Sequence, residues 1–172
     1  MLRSKMMVFI FLMTLVLGMV ASNEAAAGEK LKLRTVMFAV KWETLDPGDE
    51  EGHLIGLVEG KGIQSIVEGK PICDGCVVRY GALIDINVKT GLGSGRGYAE
   101  VTDRDGDRYY YRRRGKLLRM EEWGSYWEGE CTIVKGTGKY EGIKGTGIWS
   151  SYVVAPMQWY YDEELEVELP RQ

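Results

Sequence analysis

One histidine, His53, stands in a chain of 172 residues. That scarcity leaves no persuasive Ser-His-Asp or Cys-His arrangement for nucleophilic catalysis. His53 itself could serve as a base or a ligand, with Asp49 and Glu59 as partners. It follows the acidic loop DPGDEEG (46–52), so a solvated strand end is the expected fate of its ring. An excess of positive charge is also missing. Twenty-two Lys and Arg face twenty-five Asp and Glu, a formal net charge of -3. This argues against a general nucleic-acid binder, which needs a basic footprint. The one basic run, RYYYRRRGK (108–116), mixes arginine with tyrosine but reads as a strand with one solvated face. Beyond the N-terminal segment, no stretch carries a helical apolar stripe over three turns.

The N-terminal segment is of a different kind. MLRSK is short and basic, MMVFIFLMTLVLGMV is apolar throughout, and ASNEAAAG ends in small residues. That order is the pattern of a secretory signal peptide. The apolar run holds fifteen residues, short of the roughly 20 that a spanning helix requires. Ala25 and Ala27 offer a cleavage site before Gly28, and cleavage after Ala21 is an alternative. No cysteine lies near the site to carry a lipid. The expected division is residues 1–27 as leader and 28–172 as one domain, secreted or periplasmic and without a stable membrane anchor after cleavage.

Cysteine is sparse, with only Cys73, Cys76 and Cys131. An exported protein can keep a disulfide, and an odd count leaves one thiol over. A bridge from Cys131 to Cys73 or Cys76 is the expected pairing, and a direct Cys73–Cys76 bond, which closes a very short loop, is the alternative. The C-x-x-C lacks the βαβ context of a thioredoxin motif, and the spacing to Cys131 and His53 is irregular for zinc. Asp103, Asp105 and Asp107 surround Gly106 but miss the spacing of a calcium loop. A hairpin turn explains them better.

What is present in quantity is alternation punctuated by glycine. LRTVMFAVKW (33–42) sets Val36, Phe38, Val40 and Trp42 on one parity, expected to face inward. HLIGLVEG (53–60) and GIQSIVEG (62–69) are short apolar runs. VVRYGALIDINVKTG (77–91) aligns Val78, Tyr80, Ala82, Ile84, Ile86 and Val88. Residues 95–115 form a hairpin about the DRDGD turn, and KLLRMEEWG (116–124) holds a helical turn or a short strand. GSYWEGECTIVKG (124–136) aligns Trp127, Cys131 and Ile133, GTGIWSSYVV (145–154) follows, and QWYYDEELEVELP (158–170) closes the chain. Eight or nine strands joined by tight turns predict an all-β domain. Closure into an antiparallel barrel, lipocalin-like in architecture, removes exposed edges.

The segment GTGKYEGIKGTG (136–147) has strand pattern on both sides and no helix after it, so it is not a phosphate loop. It reads as a strand end, a turn around residues 140–142, and a new strand. This segment resembles the glycine-rich string G-x-G-K-[FY]-x-G-x-x-G of the barrel family that includes allene oxide cyclases and dirigent proteins. GYAEVTDRDGD (97–107) and GHLIG (52–56) look like segments of small exported bacterial proteins with the same barrel. The likeness touches about a quarter of the chain at most and consists mainly of turn glycines. It implies an eight-stranded antiparallel barrel with an internal apolar cavity, often oligomeric, in which small hydrophobic molecules are oriented or cyclised. No motif matching the catalytic residues of the plant cyclases is visible.

If the alternation holds, Phe38, Trp42, Tyr80, Trp127, Trp159 and Tyr161 line the interior as a ligand site or simply as core. Glu163 shares the parity of Trp159 and Tyr161, and a carboxylate in a dry cavity could act as general acid or base. A register slip at residues 160–161 would instead leave it at the rim in water, and this is the expected outcome. The functional expectation is a barrel that binds a small hydrophobic molecule. The alternatives are a cyclase or isomerase assisted by Glu163, and a filled structural barrel. No cofactor, metal or nucleic acid is implied.

Overall fold

The computed structural model describes residues 28–70, 72–122 and 124–169. The expected leader lies outside the described residues. Eight strands follow one another: β1 (Glu29–Leu45), β2 (His53–Glu68), β3 (Cys76–Asn87), β4 (Leu92–Thr102), β5 (Arg108–Glu121), β6 (Gly124–Gly136), β7 (Lys144–Ala155) and β8 (Gln158–Glu168). Each is antiparallel to the next, and β8 pairs with β1 to close the cylinder. The two runs of 53–69 form one strand, β2, and residues 116–121 extend β5 rather than turning helical.

One residue in two faces the axis. The sequence parity is right for β3, β6 and β8, where Val78, Ala82, Ile86, Cys131, Ile133, Trp159, Tyr161 and Leu165 are buried. It is reversed on the first part of β1. There Leu31, Leu33, Thr35 and Met37 are buried, whereas Val36, Phe38 and Val40 are 47%, 52% and 55% exposed. The 33–42 stretch is apolar on both parities, so alternation alone could not choose its face. A bulge then changes the outcome. Ala39 pairs with Gly60 and Lys41 with Glu59, which leaves Val40 as the extra residue. Past it the parity flips, and Trp42, opposite the inward Val58, turns to the open mouth of the chamber at 45% exposure, whereas Phe38 stays on the outer wall. Further register shifts fall in β5 after Leu117 and in β7 after Val153. These three lie toward the open end, where bulges re-aim side chains, and two more, between Lys32 and Leu33 and between Tyr110 and Tyr111, lie toward the base.

The two ends differ. At the base, Tyr140 folds in from the short turn Gly138–Tyr140, its ring 5.1 Å from that of Tyr109. Its hydroxyl donates to the carbonyl of Ile72 at 2.7 Å. The glycine-rich segment is therefore the stopper of the barrel. Gly142, with φ of 85°, supplies the left-handed step that returns the chain into β7. The DRDGD turn lies beside it. Asp103 Oδ1 accepts from the amides of Asp105 and Asp107, and Lys139 pairs with Asp103 and Asp105. Among the described residues no cluster of three His, Cys, Asp or Glu is arranged to hold a metal ion.

The disulfide also lies at the base and differs from the expected pairing. Cys73 bonds Cys76, while Cys131 is free and buried on β6. The pairing follows from placement. Cys73 lies in the β2–β3 loop at the base and Cys76 opens β3 there, whereas Cys131 faces Arg113 across the β5–β6 ladder, inside the barrel.

Inward glycines make room for large rings. Gly115 and Gly129 are opposite each other on β5 and β6, and the ring of Trp149 lies against both. A Cβ on Gly129 would fall 2.0 Å from the carbonyl oxygen of Arg114, a backbone atom with nowhere to go. Gly129→Ala should therefore cost about 2–3 kcal/mol of stability by overpacking. Chemical denaturation would check this, and an unchanged midpoint would refute the tight contact.

Candidate functional site

The end opposite the stopper is open. Its cavity measures about 510 Å³ and is walled mainly by carbon, with Trp42, Leu54, Val58, Ala82, Ile86, Trp127 and Val153 among its lining. Met120, Glu121 and Glu122 stand at its rim. Tyr80, Arg113, Trp149, Trp159 and Tyr161 close its inner end. A larger hollow of about 1310 Å³ borders outward side chains such as Lys32, Arg34, Arg96, Arg114 and Glu164. Most of its lining side chains face outward around the waist, and it shares Ile84, Gly95 and Trp149 with the chamber.

Of the six aromatic residues expected inside, five line this chamber: Trp42, Tyr80, Trp127, Trp159 and Tyr161. Phe38 does not, because it precedes the bulge. Edge-to-face contacts fix the inner rings. Tyr80 lies 6.5 Å from Trp159 and 5.7 Å from Tyr161, and Trp149 lies 5.4 Å from Tyr161.

Glu163 is not at the rim. No register slip occurs at residues 160–161, where β8 runs evenly against β1. The carboxylate is 1% exposed and accepts a hydrogen bond from Arg113 Nη2 at 2.6 Å. Thr35 Oγ1 approaches its other oxygen at 3.5 Å. Arg113, likewise 1% exposed, sits among the rings of Tyr161, Tyr111 and Tyr80 at 4.4, 5.1 and 5.7 Å. Burial alone would lower its pKa, but Glu163 and the electron-rich neighbours hold it above the ordinary guanidinium value. A cation thus persists in the centre of the barrel, paired with one carboxylate and faced by π clouds.

Arg113 is the residue that sequence reasoning missed. The 108–116 run does present Arg112 and Arg114 to solvent, as expected of a solvated face. Its other parity carries Tyr109, Tyr111 and Arg113 inward. The signal was there: three consecutive arginines on a strand must put at least one on the tyrosine face. Glu163 is the matching odd charge on the inner face of β8.

Below the pair, Gln64 ties the base together. Its amide donates to the Tyr109 hydroxyl at 2.7 Å and to the Cys73 carbonyl at 3.3 Å. Burial raises the pKa of both Tyr109 and Tyr111, so these phenols stay neutral. Burial, then Glu163, pushes the Cys131 thiol up to about 12, which removes it as a nucleophile at neutral pH.

His53 lies at the open end. Its Nδ1 is 2.6 Å from Asp49 and its Nε2 is 3.0 Å from Asp85, while Glu59 is not among its partners. The Asp49 hydrogen bond chiefly raises its pKa, burial opposes this, and the Asp85 hydrogen bond adds to the rise. The folded value exceeds the unfolded one, so the stabilisation is complete below about pH 6.5 and fades as pH rises through the folded pKa. Amide exchange in the 46–52 loop should accelerate over that same interval, and Asp85→Asn should move the midpoint down. An NMR titration of His53 with an unshifted midpoint would contradict the bridge.

No protein-family model matches the chain, and no curated protein is significantly similar to it.

Proposed function

We infer that the chain is an exported barrel protein that binds one small hydrophobic molecule in its lumen. The observation that supports this reading is the chamber itself: about 510 Å³, aromatic, apolar and open at one end. That volume falls in the range of roughly 300–1,000 Å³ typical of small-molecule sites. A barrel of eight strands can instead be filled by its own side chains, and the lower half of this one is. Leu31, Leu33, Val78, Val101, Tyr109 and Val167 pack there. The hollow upper half is what separates a binding barrel from a structural one. Placement outside the cytoplasm rests on the leader pattern and accords with the Cys73–Cys76 disulfide.

The resemblance to allene oxide cyclases and dirigent proteins fits this reading, since those barrels orient small apolar molecules. Catalysis by conformational restraint is the second reading. It is less favoured here because Glu163 is held by Arg113 beneath the floor and the Cys131 thiol is protonated. Binding without turnover needs neither group.

The test is to expose the mature protein to a lipid and terpenoid extract and measure the intact complex by native mass spectrometry. One retained, unchanged molecule per chain is expected. A rearranged product would favour the cyclase reading. No retained mass, together with tryptophan fluorescence indifferent to every addition, would refute ligand binding.

A further inference from the structure

The lumen is walled by carbon, yet its inner end carries donors that have no acceptor. Arg113 is a lining residue, and only its Nη2 is engaged, by Glu163. Its Nε and Nη1 are buried without a hydrogen-bond partner. Trp159 Nε1 is in the same state. The other two tryptophans of the wall with a bonded indole are satisfied: Trp149 donates to the Glu130 carbonyl at 3.0 Å and Trp127 to Ser125 Oγ at 2.9 Å. Unmet donors therefore gather at the closed end of the chamber. Buried polar groups in native proteins are nearly always paired, so such a cluster at a cavity calls for an acceptor from outside the chain.

We propose that the ligand carries a neutral acceptor oxygen, such as that of a ketone, aldehyde, ester or epoxide, seated beside Arg113 and Trp159. Its hydrocarbon part runs along the aromatic wall to the mouth. This rests on the binding reading above and specifies its ligand class.

Three features select a neutral acceptor. The charge of Arg113 is already balanced by Glu163 at 2.6 Å, so a second anion would leave an unbalanced negative charge in a dry site. The mouth is acidic: Glu121 and Glu122 stand at the rim, and Asp46, Asp49, Glu50 and Glu51 crowd the neighbouring loop. Lys89 and Arg119, paired with Glu51 and Glu121, offset two of these six carboxylates and leave the mouth acidic on balance. An anionic amphiphile would be repelled on approach. A cation would meet Arg113 at the floor.

Octane, methyl hexyl ketone and octanoate, titrated into the mature protein by calorimetry near neutral pH, separate these cases. The ketone should bind about tenfold tighter than octane, as expected for hydrogen bonds from buried donors. Octanoate should bind more weakly than the ketone. Trp159→Phe should lower the ketone's affinity relative to that of octane. The paired variant Arg113→Met with Glu163→Leu, which leaves no charge stranded, should abolish the advantage. Equal affinity for octane and the ketone would overturn this inference while leaving ligand binding intact. So would octanoate binding tightest. Failure of all three to bind would overturn both.

Discussion

Arg113→Met alone should lower the stability of the barrel by about 3–5 kcal/mol, and adding Glu163→Leu should recover most or all of that loss. The reasoning starts from burial. Both side chains are 1% exposed and meet at 2.6 Å. Removing the guanidinium strands a carboxylate with only the long Thr35 contact to support it. Glu163→Gln keeps shape but strands the cation instead, and a loss of the same order is expected. In a domain of this size such a change shifts the thermal midpoint by roughly 10–15 °C. The double substitution replaces a desolvated ion pair by apolar side chains of similar bulk, which is often neutral or stabilising. A double-mutant cycle should therefore report strong coupling. Single losses below about 1 kcal/mol, or losses that simply add, would show that the pair is solvated.

Ala82→Phe should abolish binding in the lumen, weakening affinity by at least about a hundredfold, while leaving stability nearly unchanged. Ala82 lies on the inner face of β3, between Val58 on β2 and Gly97 on β4, and lines the chamber. A phenyl group there enters empty space rather than packed core, so the usual overpacking cost of about 1–3 kcal/mol does not arise. Titration with a solvatochromic apolar dye, alongside a denaturation curve, checks both halves. Unchanged dye binding in a folded variant would place the ligand elsewhere.

The fold was legible because strand signals are local. Alternation with a period of two, an Asp-Gly turn and clustered glycines are all short-range features. The turn reading of GTGKYEGIKGTG held for the same reason, since Gly142 is needed for its left-handed step. Face assignment was less legible. Where one parity was polar, as on β8 with Glu164, Glu166 and Glu168 outside, the inner set followed. On β1 both parities were apolar, and a bulge at Val40 that no residue pattern announces decided the position of Trp42. The Arg113–Glu163 pair joins residues fifty positions apart on strands that are not neighbours in the sheet. Strand alternation can say that each faces inward, but only closure of the barrel brings them to one point. The disulfide pairing was less legible, because loop length favours a bridge to Cys131 and only barrel closure places Cys131 inside, away from the Cys73–Cys76 pair.

The outer surface makes the same point in reverse. Val36, Ile63 and Val77 lie on adjacent strands, paired in register, and all three are exposed. A hydrophobic residue on a strand is therefore no proof of an inward face, and counting apolar positions overstates the core.

The lumen as a ligand chamber is tested most directly by a crystal structure of the protein soaked with a terminally brominated alkane. The account predicts an anomalous bromine peak inside the barrel, on the mouth side of Arg113 and between the rings of Trp42 and Trp127. A bromine found only on the outer wall, or an upper lumen closed by inward-folded side chains, would contradict it.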